Sequence, residues 1–441
     1  MGQLLSKSGF QAVENPRKAG ILIVNTCGFI GTARAESLQA LRDLAATKRK
    51  GQLLIAAGCL TQRYGLEVAR QVAGIDGILG TRRWMDIVAV VQSLRNGKHP
   101  EPLYHLPEAH AIGADAPGVL RAAVQGRSAY LKIGDGCRRP CAFCAIPLIK
   151  GPAVSRPLET ILTEAQTLQA QGVRELILIS QDTTDYGYDL GFKDGLAQLL
   201  EKVSLALAER RGQGSDQAAG VDWIRVMYAY PGQVTDRLIE VMAAHAQILP
   251  YLDLPLQHAH PDVLRRMRRP AKMDWVYRTL EKMRAALPGL ALRTTFIVGY
   301  PGESEAEFQT LLDFIREIRF DRVGAFQYSF EVGTPAEPLG DSIPAEVKQE
   351  RWERLMALQQ GISLEINQTF VGKTLDVLIE GQGDGLSLGR SYRDAPEIDG
   401  LIVVEGHIPC GAMLPVHITG AMTYDLSGVL GTTVPHRAQG N

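Results

Sequence analysis

The chain has 441 residues, 45% of them hydrophobic and 22% charged, enough apolar mass for two or three cores and a multidomain protein. Its net charge of -1 gives no global drive toward nucleic acid, and no apolar run reaches the length of a membrane span. The opening residues, MGQLLSKSGFQAV, lack the apolar stretch and cleavage site of a secretory signal, so the chain is expected in the cytoplasm, where its six cysteines are metal ligands, catalytic thiols or buried residues and not a disulfide framework.

From the amino terminus, GILIVNTCGF and GQLLIAAGC read as buried strands separated by a helix, TARAESLQALRDLAATKRKG, that Gly51 stops. This is the rhythm of a small parallel α/β domain over residues 1–97, with Cys27 and Cys59 each at a strand's carboxyl end, the edge where open α/β sheets place their sites. Residues 98–126, rich in Pro, His, Ala and Gly, read as a linker. Six candidate strands follow, AYLKIG, RELILIS, WIRVMYA, YLDLPLQ, LRTTFIVG and RVGAFQY, each but the last succeeded by a helix-like stretch. Six such units over 127–368 predict a partial (β/α)6 TIM-like barrel, closed by a helix from about Pro344 to Gln368. Residues 369–441, with short strands, glycine turns and no helix, predict a small antiparallel β-barrel, so the whole is of the α/β class with a β appendage.

The densest chemical signal is GDGCRRPCAFCAI, which puts Cys137, Cys141 and Cys144 within eight residues in the loop after the first barrel strand. A structural zinc site wants four ligands, and no histidine lies near in sequence to close the shell. Three thiolates can instead hold a cuboidal four-iron cluster with one iron left open to chelate a small molecule. The alternative is three unrelated buried cysteines. Cys410 stands alone in the carboxyl-terminal segment and reads as structural.

The C-x3-C-x2-C spacing on a partial βα barrel resembles the radical S-adenosylmethionine (radical SAM) enzymes, and this implies a 4Fe-4S cluster on Cys137, Cys141 and Cys144 that cleaves S-adenosyl-L-methionine to a 5'-deoxyadenosyl radical. The resemblance places Phe143 against the adenine, or else makes it a plain packing residue, and sets Gln181 and Asp182, in ISQDTTDYG, at a strand end facing the cavity. TTFIVGYPGE looks like the family's glycine-bearing strand end, with Gly299 allowing close approach to the adenosine, or else a turn before a helix. NTCGFI, GCL, SRPLE, PLQHA, YSFEVGTPA and GRSYRDAPEIDG, spread over nearly the whole chain, resemble the methylthiotransferases, and within them the RimO family that modifies the twelfth small-subunit ribosomal protein.

That family implies insertion of a methylthio group at the β-carbon of an aspartate, a carboxyl-terminal TRAM barrel that docks the substrate, an electron donor such as flavodoxin or ferredoxin, and a second 4Fe-4S cluster held by three amino-terminal cysteines. Cys27 and Cys59 match two of the three; the first cysteine-bearing strand, expected ahead of the GQLL helix, is not in these residues. The expectation is a start assigned too late, or a chain impaired in sulfur insertion that still cleaves S-adenosyl-L-methionine. The sister branch modifies adenosine in tRNA. From Lys373 onward, four Lys and Arg stand against eight Asp and Glu, a net charge of -4 that suits a basic ribosomal protein better than tRNA. RDAPEIDG puts three acids in one loop, for docking or as a solvated turn, while RRMRR (Arg265 to Arg269) could contact RNA or be a solvated helix face. His258 reads as a satisfied core histidine or a site residue. A non-catalytic, cluster-bearing ribosome-binding module is the rival class.

Overall fold

The computed structural model describes residues 1–97, 101–107, 119–211 and 221–431, with only the backbone of 209–211. The amino-terminal sheet is four parallel strands in sequence order, Ile21–Thr26, Leu53–Gly58, Gly77–Gly80 and Leu103–His105. Leu53–Gly58 is a nearly continuous apolar run because both its faces are covered: Leu54 and Ala56 join Leu22, Leu41 and Leu60 on one side, while Ile55 and Ala57 join Leu79, Ile87 and Val91 on the other. Helices Gly31–Thr47, Cys59–Gln71 and Ile87–Asn96 supply those covers.

The stretch expected as a linker, 98–126, is partly built into both neighbouring domains. Leu103–His105 extends the first sheet, and Ala122–Gln125 pairs antiparallel with the first barrel strand. Residues 98–100 and 108–118 of that stretch, and 432–441 of the last domain, lie outside the described residues.

All six expected barrel strands form: Ser128–Lys132, Glu175–Ile179, Trp223–Val226, Tyr251–Asp253, Ala291–Val298 and Arg322–Gln327. They fall into two sheets joined by a single bridge, Ile224 with Ile248, and among the described residues the arc does not close between Ala122–Gln125 and Arg322–Gln327. The helix Ala345–Gln368 packs behind the last strand, donating from Trp352 Nε1 to Ala325 O at 2.9 Å.

The carboxyl-terminal barrel is closed, with five strands: Thr374–Gly383, Leu386–Arg390, Ile402–Glu405, Met413–Ala421 and Leu426–Leu430. Asp384 and Gly385, both at positive φ (50° and 80°), make the two-residue hairpin turn between the first two strands. One correction applies to the antiparallel expectation: Ile402–Glu405 runs parallel to Leu426–Leu430.

This barrel seals the amino-terminal end of the βα barrel with an ion network set beside an apolar cluster in which Ile177, Trp223 and Tyr251 meet Leu378 and Ala395. Glu175, fully buried at the start of the second strand, accepts from Arg225 Nε (2.7 Å), Arg390 Nη2 (2.6 Å) and Ser128 Oγ (2.9 Å). The RDAPEIDG loop completes the floor: Asp394 pairs with Arg322 at 2.7 Å, and Asp399 accepts from Tyr251 Oη at 2.7 Å and lies 3.4 Å from Arg293. Two of the three acids in that loop are therefore neither solvated nor free to dock a substrate. Glu380 joins this floor through Arg390 at 2.6 Å, while Asp376, Asp384, Glu397 and Glu405 remain exposed with Lys373 and Arg393 is buried, so the outer face of the small barrel is still acidic.

Candidate active site

The three-cysteine loop leaves the carboxyl end of the first strand through Gly136, whose φ is 78° and where a Cβ would stand 2.0 Å from Pro152 O, so only glycine fits. Cys137 N donates to Gly151 O (3.1 Å), Ala142 N to Met267 O (2.9 Å), and Ala336 N to Ala142 O (2.9 Å), so the loop is pinned from three directions. Arg138 pairs with Asp185 and stacks 3.5 Å from the Tyr188 ring centroid. Arg139 bonds Asp182 at 2.6 Å, and both Arg139 and Arg269 lie 4.4 Å from the Tyr230 ring centroid.

Two donors approach the sulfurs: Arg139 N reaches Cys137 Sγ, and Arg269 Nη1 reaches Cys141 Sγ, each at 3.4 Å. Three thiolates on one loop suit a cuboidal cluster with one open iron and leave a structural zinc site one ligand short. Burial pushes the Cys137 thiol up to about 11 and the Cys144 thiol up to about 12, so the metal must displace protons as it binds.

The residues expected to meet the cofactor sit in different surroundings. Phe143 is half-buried against the cluster of Ala142, Val263, Met267, Tyr300 and Tyr328. Gln181 carries a buried Oε1 that no described group satisfies, the kind of orphan acceptor that a bound ligand's donor would relieve. Gly299 has φ 70°, and a Cβ there would meet Lys348 Cγ at 2.4 Å, so the close approach observed is from the closing helix. His258 is a satisfied core histidine: fully buried, its Nε2 lies 3.0 Å from Glu303, and its Nδ1 accepts from His260 N at 2.9 Å. Within RRMRR, Arg266 pairs with Glu307 and Arg269 turns into the site, so it is not simply a solvated or RNA-facing run.

Cys27 and Cys59 emerge together because Thr26 and Gly58 are register partners in adjacent parallel strands. The two strand-end loops close so tightly that a Cβ on Gly28 would lie 2.6 Å from Leu60 Cα. Burial raises the Cys59 thiol, whose neighbours are Lys150, Cys27, Thr81 and Asp135. Asp135 and Lys150 flank the three-cysteine loop in sequence, and Lys150 Nζ donates to Thr81 Oγ1 at 2.9 Å, so the two cysteine sets lie on either side of one domain junction. The domains are clamped there by Arg63, which meets Glu331 at 2.8 Å with both side chains buried, and by Arg82, which donates to Ile149 O at 3.1 Å. Cys410 is exposed and joins neither set, nor is it packed as a structural cysteine would be.

Sequence reading missed Arg138, Arg139, Tyr230, Arg269, Lys132 and Lys150. The two consecutive arginines inside the cysteine motif were the available signal, since a solvated loop has no need of paired guanidiniums.

An open βα arc with three thiols at its strand ends, flanked by a parallel α/β domain and a small β-barrel, defines a radical SAM enzyme with a TRAM domain. The chain matches the Radical SAM superfamily over residues 131–315, the TRAM domain over 371–430 and the Uncharacterized protein family UPF0004 over 1–80. Its fold resembles a radical S-adenosylmethionine methyltransferase, TsrM, from Kitasatospora setae, with cobalamin and a [4Fe-4S] cluster bound, at a TM-score of 0.53 and 13% identity over 88% of this chain and 76% of that one. Among curated relatives, ribosomal protein uS12 methylthiotransferase RimO of Chloroflexus aurantiacus is 49% identical over 97% of this chain and 95% of its own length. The proteins of the same name from Roseiflexus sp. (strain RS-1) and Herpetosiphon aurantiacus are 46% and 43% identical, each over 97% of this chain and over 93% and 95% of their own lengths. The chain belongs to the RimO family of methylthiotransferases.

Proposed function

We propose that this chain methylthiolates the β-carbon of an aspartate in ribosomal protein uS12. The observation that carries the reading is the junction of the two cysteine-bearing domains: Lys150, six residues after Cys144, donates to Thr81 Oγ1 at 2.9 Å, at the strand end beside Cys59. When bound, the iron-sulfur clusters and S-adenosyl-L-methionine would supply the radical that activates an aliphatic C–H bond and the sulfur that replaces it. Cys137, Cys141 and Cys144 would hold the first cluster, with Arg139 N and Arg269 Nη1 offsetting thiolate charge at 3.4 Å. Cys27 and Cys59 would contribute to the second.

Phe143, Gln181 and Gly299 would line the cofactor site. Tyr228, held at φ 59° with its N donating to Asp253 at 2.9 Å, and Phe326 keep apolar surface exposed after the third strand and on the last strand, where substrate binding would exclude water. The acidic outer face of the small barrel suits a basic protein substrate and disfavours tRNA. A flavodoxin or ferredoxin would supply electrons, and no helix among the described residues is long and apolar enough to cross a membrane. The test is anaerobic incubation of the reconstituted chain with uS12 and, separately, with tRNA, read by mass spectrometry; methylthiolated adenosine with unmodified uS12 would overturn the reading.

A further inference from the structure

Between the two cysteine sets lies a charge arrangement that cluster binding leaves unused. Lys132 ends the first barrel strand on the same face as Ser128 and Tyr130, the face that meets the floor network below. Lys150 ends the short helix Ile146–Lys150 that follows Cys144. Both amines converge on one carboxylate, Asp135, whose Oδ2 is 2.8 Å from Lys132 Nζ and 3.4 Å from Lys150 Nζ. Asp135 is 1% exposed, whereas the lysine side chains retain 24% and 12%, enough to meet a ligand in the cleft. Lys150 Nζ also donates to Thr81 Oγ1 at 2.9 Å, and Thr81 follows Gly80, the register partner of the Gly58 that precedes Cys59. A line of polar contacts therefore runs from the inner face of the barrel, through Asp135 and Lys150, to Thr81 at the strand end beside Cys59.

Two ammonium groups share one buried carboxylate, so the cluster carries one positive charge more than the carboxylate offsets. In a cleft of low dielectric such an excess is a binding site for an anion. The aspartate side chain proposed as the target is an anion whose carboxylate is one bond from the β-carbon to be modified. We propose that Lys132 and Lys150 bind the carboxylate of the substrate aspartate, and so place its β-carbon between the three-cysteine loop and the Cys27/Cys59 pair. The inference rests on the function proposed above and adds to it the residues that select aspartate. Holding the carboxylate also limits rotation about the bond to the target carbon, which is the orientation a radical abstraction needs.

The test compares a uS12 peptide containing the target aspartate with the same peptide carrying asparagine, by anaerobic calorimetry on the reconstituted protein with S-adenosyl-L-methionine present. Charge-assisted hydrogen bonds predict that the native protein binds the aspartate peptide about ten- to a hundredfold more tightly. Lys132→Met and Lys150→Met should each remove most of that preference while iron content and S-adenosyl-L-methionine affinity stay unchanged, and Lys150→Arg should restore part of it. Preference retained in both Met variants overturns the assignment. So does a loss of S-adenosyl-L-methionine affinity with the peptide preference intact, which would give the lysines to the cofactor's carboxylate. Should the Met variants fail to hold iron, the native comparison decides: equal affinity for the two peptides refutes a carboxylate site. A native protein that binds neither peptide overturns the functional reading, and the proposal with it.

Discussion

Replacing Glu175 with Gln should unlock the carboxyl-terminal barrel from the catalytic barrel. Burial alone would raise the Glu175 carboxyl, but Arg225 and Arg390 override it and hold the group at about 2 against an ordinary 4.5. That gap corresponds to about 3 kcal/mol of preference for the charged form, consistent with the cost of removing one member of a buried ion pair. In Glu175→Gln the volume is kept, but Arg225, fully buried, loses the carboxylate it pairs with and keeps Tyr392 O at 2.8 Å and the Tyr251 ring. The amides of Arg393, Asp394 and Ala395, which bond within the plugging loop, report the opening. Hydrogen exchange at these three should accelerate by about a hundredfold, while amides in the Val377, Ile402 and Val416 core of the small barrel change little. In the native protein the Glu175 contribution is fully present above pH 4.5 and is lost as pH falls toward 2, because the depressed folded pKa means the unfolded chain takes up the proton first. Unchanged loop exchange in the variant would refute the view that this ion network holds the domains together.

Cys141→Ala should abolish reductive cleavage of S-adenosyl-L-methionine, measured as 5'-deoxyadenosine released after reduction; normal cleavage would remove Cys141 from the cluster site. Gly136→Ala, which needs a Cβ 2.0 Å from Pro152 O at φ 78°, should cost about 1–3 kcal/mol and lower iron retention, read by thermal melting and iron assay. Gln181→Leu should weaken S-adenosyl-L-methionine binding about tenfold without changing iron content, because its buried Oε1 would have lost a ligand's donor.

The six barrel strands were legible because each is a compact apolar run followed by a helical pattern, as in Glu175–Ile179 ahead of the amphipathic stretch that includes Leu196, Leu199, Leu200 and Val203. Gly77–Gly80 and Leu103–His105 escaped notice because four and three residues are too few to show a period. The parallel pairing of Ile402–Glu405 with Leu426–Leu430 left no trace either, since inward and outward residues alternate identically in both pairings. The cysteine spacing pointed to the proposed first cluster site because its three thiols are local in sequence. The ionic floor could not be read that way: Glu175 meets Arg225 and Arg390 across 50 and 215 residues, and the acids of RDAPEIDG look solvated until Arg322 and Tyr251 are folded onto them. Lys132 looks like a solvated strand end in AYLKIG, and acquires meaning only beside Asp135 and Lys150.

The most direct test of the account is mass spectrometry of uS12 after anaerobic turnover with the reconstituted chain, S-adenosyl-L-methionine, a sulfide source and a reductant, with fragmentation to locate the change. The account predicts a gain of one methylthio group on a single aspartate, with tRNA from a parallel incubation unmodified. Methylthiolated adenosine in the tRNA, with every uS12 aspartate unchanged, would contradict it.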